Sequence, residues 1–160
     1  MKSEDINRIL GIKESFELPD KMMELLLDEE KKNIMFDSFI ELGEELSSDW
    51  FTKYYQENHS NRDKMMQDFT PQEIAYLVNN LDSTHAESVL DVCAGTGGLT
   101  IKAIANHPNY IECQELSKRA IPLLLFNLAI RNINATVIEQ DVLSNEKNSR
   151  LQADKRQQIQ

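Results

Sequence analysis

At 160 residues and 18.5 kDa, with 41% hydrophobic and 28% charged residues, the chain has the composition of one domain, or one domain with an appendage, able to bury a core. No apolar run approaches the roughly 20 residues of a membrane span, and the opening "MKSEDINRIL" carries acids where a secretory signal has an apolar run, so no membrane association and a cytoplasmic location are expected. A net charge of −10 excludes an overall basic face of the kind that grips nucleic acid unaided.

Charge is uneven along the chain: residues 1–66 hold nine Lys/Arg against sixteen Asp/Glu, and residues 142–160 hold four against two. Any contact with DNA therefore calls for a partner's basic surface or a local patch. His59, His85 and His107 are scattered, and no Cys/His pair has zinc-ligand spacing, so no metal is expected. Cys93 and Cys113 lie in apolar runs and read as buried free thiols.

The region 1–66 reads as helical. In "LPDKMMELLLDEEKKNIMFDSFIELGEEL", Asp20 offers an N-cap, and Met22, Met23, Leu26 and Leu27, then Ile34, Met35, Phe39 and Leu42, form one apolar stripe. "DWFTKYYQ" (Asp49–Gln56) is an aromatic cluster on a further short helix, and "ENHSNRDKMMQ" is a polar mobile link. "DFTPQEIAYLV" follows as a capping box, with Thr70 as N-cap, Pro71 at the first helical position and Glu73 two further on.

From residue 67 to 143 the pattern becomes α/β. "SVLDVCA" (88–94), "YIECQE" (110–115) and "ATVIEQD" (135–141) read as strands, with helices at 98–106 and about 118–131 between them. Strands alternating with crossover helices make a parallel sheet of about three strands, a Rossmann-like arrangement. Residues 144–160, "SNEKNSRLQADKRQQIQ", read as a polar, frayed tail.

"DVCAGTGGLT" joins the first strand to its helix. A phosphate-cradling loop needs G-x-x-x-x-G-K-S/T, and no Lys follows the second glycine. A dinucleotide loop needs a third small residue, and counting from Gly95 and Gly97 that place holds Thr100, a poor fit. The pattern D-x-x-x-G-x-G is met by Asp91, Gly95 and Gly97 and points to S-adenosylmethionine, whose methionine ammonium a strand-end carboxylate can meet. Glu115 closes the second strand, where an acid accepts from ribose hydroxyls, and Asp141 closes the third, where an acid meets the adenine amine. Each acid alone reads as a solvated carboxylate. Joined to the glycine turn, at the carboxyl ends of parallel strands, they read as one cofactor site. The turn Phe69, Thr70 and Pro71 would fold over the cofactor toward the methionine carboxylate.

These strings, over roughly residues 49–143, resemble the N-6 adenine DNA methylases, and most of all the modification subunits of type I restriction–modification systems. The resemblance implies a Rossmann-like methyltransferase fold behind an α-helical region. It implies cofactor contacts along the loop Cys93, Ala94, Gly95, Thr96, Gly97 and Gly98, and at Asp91, Glu115 with Leu116, and Asp141 with Val142. It also implies DNA as substrate and a specificity or catalytic-half subunit as partner. The family's Asn/Asp-Pro-Pro-aromatic motif, which accepts from the target amine and stacks the extruded base, has no counterpart here: Pro19, Pro71, Pro108 and Pro122 are nowhere adjacent. No catalytic residue is assigned. The expectation is the cofactor-binding portion of an adenine-N6 DNA methyltransferase, truncated or completed by another chain. The alternative is a non-catalytic module that binds the cofactor or engages a methylase or specificity subunit. A methyltransferase of RNA or protein is a third reading.

Overall fold

The structure, a computed structural model, describes residues 2–43, 45–58, 70–81, 86–104, 108–144 and 146–153. Helix α1 (Ser3–Leu10) ends on Gly11 in the left-handed region. A short 3-10 turn, Ser15–Glu17, leads into α2 (Leu18–Leu26), and α3 (Glu29–Ile40) follows. Next come α4 (Thr52–Asn58) and α5 (Gln72–Leu81). The α/β part then runs β1 (Ser88–Val92), α6 (Gly98–Ala103), β2 (Tyr110–Glu115), α7 (Ile121–Ile130), β3 (Ala135–Asp141) and β4 (Glu146–Ala153). The polar link expected at 57–67 and all three histidines fall largely or wholly outside the described residues. Among the described residues, no helix is long and apolar enough to cross a membrane.

The sheet order is β1-β2-β3-β4, with the first three strands parallel and β4 antiparallel to β3. This α/β arrangement behind N-terminal helices is the expected fold class, with an added strand. The frayed tail is corrected over Glu146–Ala153. Those residues pair with β3 from Asp141↔Glu146 to Ala135↔Ala153, across a bulge at Glu139/Gln140. Backbone ladder bonds hold a hairpin strand whatever its side chains, and an edge strand tolerates polar residues on its open face. Of this strand, Leu151 packs against the sheet's apolar cluster, while Arg150 and Gln152 are exposed.

Helix α7 organises the interior. Its ten residues, "IPLLLFNLAI", are all buried, as an all-round apolar helix must be. Ile121, Leu124, Leu125 and Leu128 meet Ile111, Cys113, Ala135 and Val137 of the sheet. Leu123, Phe126, Ala129 and Ile130 meet the N-terminal helices through Ile6, Leu10, Phe36, Phe39, Phe51 and Tyr55. Phe126 stands edge-on to Phe39, Phe51 and Phe36, with ring centroids 4.7, 5.2 and 5.2 Å apart. One helix thus serves both layers.

Two N-terminal expectations change. Helix α2 starts at Leu18 with Pro19 in its first turn, so Asp20 lies inside that turn rather than at the cap. The single stripe breaks because Asp28 caps a new helix, its carboxylate accepting from Lys31 N–H at 3.1 Å. Across that break the 3.6-residue phase is lost, so Leu27 and Ile34 are exposed while Met22, Met35 and Phe39 are buried.

Candidate cofactor site

The loop between β1 and α6 reverses the chain with three left-handed positions: Cys93 (φ 63°), Gly95 (φ 59°) and Gly97 (φ 100°). Ala94 N–H donates to Gln114 O at 2.9 Å, a contact with β2 two residues past the end of β1. Gly97 N–H donates to Ala94 O, and Ile101 N–H to Gly97 O, both at 2.9 Å, so turn passes directly into helix. A Cβ on Gly97 would stand 3.0 Å from Leu124 Cδ1, a fully buried side chain of α7. A Cβ on Gly98 would meet nothing within 4 Å. Gly97 is therefore demanded by packing, and Gly98 leaves space that no described protein atom fills.

The parallel register puts Asp91 opposite Cys113 and Glu115 opposite Glu139. Since side chains alternate along a strand, Asp91, Glu115 and Asp141 share the face of the sheet that α7 covers. Glu115 is 8% exposed and holds two backbone donors, Gly95 N–H on Oε2 and Ser117 N–H on Oε1, each at 2.7 Å. It staples the glycine loop to the end of β2. The Asp91 carboxylate accepts from the Thr100 hydroxyl. Burial pushes its pKa up, Thr100 pulls it back and the Glu115 charge adds to the rise. Asp141 Oδ1 accepts from Leu143 N–H at 2.9 Å and Ser144 N–H at 3.3 Å, shaping the turn into β4.

The structure thus brings Asp91, the loop 93–98 and Glu115 together, with Asp141 at the adjacent strand end. Leu116 is exposed and Val142 half-buried beside them. Thr70 and Pro71 are exposed before α5, and Phe69 lies outside the described residues. The Pro71 carbonyl accepts from Ile74 and Ala75 N–H, both at 3.0 Å. That places Pro71 rather than Thr70 at the cap, because the cap residue's carbonyl is the first acceptor of the helix. The expectation of two buried free thiols is half corrected. Cys113 is buried, and burial pushes its thiol up to about 12. Cys93 is exposed because it has left the strand in a left-handed turn.

Sequence reasoning missed the support behind the loop. Asp49, 47 residues upstream of Thr96, accepts from the fully buried Thr96 hydroxyl and, at 2.7 Å, from Asn127 Nδ2. Asn127 also donates to Thr96 O at 2.8 Å. Thr96 therefore turns its side chain away from the acids. It also missed Glu139, a buried neighbour of Glu115 whose Oε1 lies 3.5 Å from Lys118 Nζ and whose Oε2 accepts from Ser149 Oγ at 3.2 Å. Its place two residues before Asp141, on the same face, was the available signal.

These residues fit an adenosyl sulfonium cofactor. Each carboxylate oxygen has about two acceptor directions, so Glu115 keeps capacity for hydroxyl donors after its two backbone bonds. Gly98 offers clear space at the first turn of α6, and the acids lie at the carboxyl edge of the parallel strands, where open α/β sheets take ligands. The methyltransferase small domain matches the chain over residues 72–153, just over half its length and the whole stretch from α5 to β4. No curated protein and no solved structure matches it. Proteins of that domain generally use S-adenosylmethionine. From the glycine turn, the parallel sheet and this match together, the chain belongs to the methyltransferase small domain family.

Proposed function

We propose that the chain binds S-adenosylmethionine along this edge, as the cofactor-holding part of an adenine-N6 DNA methyltransferase of the restriction–modification type. Its acceptor side would come from further polypeptide. The observation that carries the reading is the glycine loop stapled by Glu115 beside the strand-end Asp91. Asp91 would hold the methionine ammonium, Glu115 the ribose hydroxyls and Asp141 the adenine amine, while Gly95 and Gly98 let the backbone approach closely. The bound cofactor supplies an electrophilic methyl on sulfur. The chain's own contribution is alignment of that group.

Completion by further polypeptide is supported by the first strand. Among the described residues, nothing pairs with the outer edge of β1. Parallel sheets are normally covered on both faces, yet Leu90 and Val92 are 57% and 48% exposed on the face from which neither apolar cluster draws. In doubly wound sheets the ligand sits where strand order reverses, beside the first strand. The described chain supplies one side of that crevice. The net charge of −10 likewise calls for a partner's basic surface before DNA is held.

Calorimetry with millimolar S-adenosylmethionine tests the cofactor reading: wild type gives heat and Asp91→Ala loses it. No heat from wild type, or equal heat from both, overturns it. Tritiated-methyl incorporation into unmethylated genomic DNA at low salt tests the rest, with an intact adenine methylase as control. The chain alone is expected to give none. Incorporation that disappears in Asp91→Ala would show that this chain already contains the acceptor side.

A further inference from the structure

We infer that Asp49 is a positioning residue of the cofactor loop, which makes the segment 46–52 of the N-terminal region a built part of the site; the inference rests on the cofactor reading above. Two carboxylate oxygens gather four donors. Oδ1 accepts from Phe51 N–H at 2.9 Å and Asn127 Nδ2 at 2.7 Å, and Oδ2 accepts from Thr52 Oγ1 at 2.6 Å and from the Thr96 hydroxyl. The first and third bonds start α4. The other two reach across to α7 and to the residue between Gly95 and Gly97.

The segment carrying Asp49 is clamped residue by residue. Leu46 O accepts from Arg131 Nε, Ser47 O from Lys102 Nζ and Ser48 O from Arg131 Nη2, all at 2.7 Å. Arg131 also bonds Asn127 O at 2.7 Å and Asn127 Oδ1 at 2.9 Å, and its guanidinium carbon lies 5.2 Å from the Trp50 ring centroid. The N-terminal helices are also attached by aromatic packing on Phe126. A half-buried carboxylate carries a desolvation cost that apolar packing would avoid. Its bonds go instead to the back of the glycine loop, while Glu115 holds Gly95 from the strand side. Held from two sides, the loop keeps its left-handed turns in register with the strand-end acids.

The test is calorimetric titration of the full chain with S-adenosylmethionine, beside urea midpoints, for four variants. Thr96→Val keeps the shape and removes the donor, and Thr96→Ser restores the donor. Asp49→Asn leaves one acceptor oxygen in place of two. Tyr54→Phe deletes a different hydrogen bond of the N-terminal region, from Tyr54 Oη to Asn7 Oδ1 at 2.7 Å, away from the loop. Loss of a hydrogen bond to a charged group corresponds to roughly tenfold in affinity. About tenfold weaker binding is therefore expected for Thr96→Val and for Asp49→Asn, near-wild-type binding for Thr96→Ser and Tyr54→Phe, and a double variant little weaker than either single one. Equal binding by wild type and Thr96→Val overturns the assignment, as does a loss in Tyr54→Phe matching that in Thr96→Val. Failure of the wild type itself to bind overturns the cofactor reading and this assignment with it.

Discussion

Gly95 and Gly97 stand two residues apart in one turn, yet different things forbid a side chain at each. Gly97 faces the interior, where Leu124 Cδ1 waits 3.0 Å from an added Cβ. Gly95 lies in the left-handed region with its N–H on Glu115, at the edge where the acids gather. The contrast separates two uses of glycine: one lets a crossover helix approach the loop, and the other, on the proposed cofactor reading, would let a ligand approach the backbone. A glycine string read from sequence does not say which is which.

The largest effect expected from this contrast is on folding. Gly97→Ala combines a left-handed conformation, costing about 1–2 kcal/mol, with overpacking against a fully buried leucine, costing about 1–3 kcal/mol. Urea unfolding should show a loss of roughly 2–5 kcal/mol. Gly95→Ala carries the conformational cost, about 1–2 kcal/mol, and should abolish heat of binding to S-adenosylmethionine. Equal destabilisation by the two would dissolve the distinction.

Next in size is the strand-end acid. Asp91→Asn should weaken cofactor binding about tenfold or more, the value of a charge-assisted hydrogen bond. It should also make the chain more stable at neutral pH. The folded Asp91 pKa is raised, chiefly by burial, so between the unfolded value, about 3.9, and the higher folded value the native state holds the extra proton. Stability from this group falls as pH rises through that window, and the variant escapes the loss. Urea midpoints at pH 3 and pH 7 should converge at the lower pH and separate at the higher one. A variant less stable than wild type at pH 7 would mean that the bond from Thr100 outweighs the cost of burying the charge.

The smallest effect is chemical. Cys93 is exposed in the loop and Cys113 is buried with its thiol pushed up to about 12. At pH 8 an alkylating reagent should modify Cys93 in the native protein and Cys113 only after unfolding. Millimolar S-adenosylmethionine should slow the reaction at Cys93, and mass spectrometry of the two peptides reads both results.

The sequence by itself placed β2 and β3 at their observed bounds and carried β1 two residues too far, to 94 instead of Val92, because short strand-forming runs bounded by turn residues are a local signal while the left-handed turn at Cys93 is not. It determined that Glu115 and Asp141 close β2 and β3 and that Asp91 lies one residue before the end of β1. Tertiary structure decided the rest, in each case through partners distant in sequence. β4 is polar and became a strand only because β3 offered an open ladder edge. The α2–α3 boundary followed the Asp28 cap rather than the apolar stripe. Asp49 meets Thr96 and Asn127 across 47 and 78 residues, and no local pattern encodes a contact of that span. Glu115 found the Gly95 amide, and Gly97 found Leu124, because the β2–α7 crossover folds back over the loop. Propensity and periodicity act within a few residues. Which side of a loop is wall and which is site depends on elements that arrive from elsewhere in the chain.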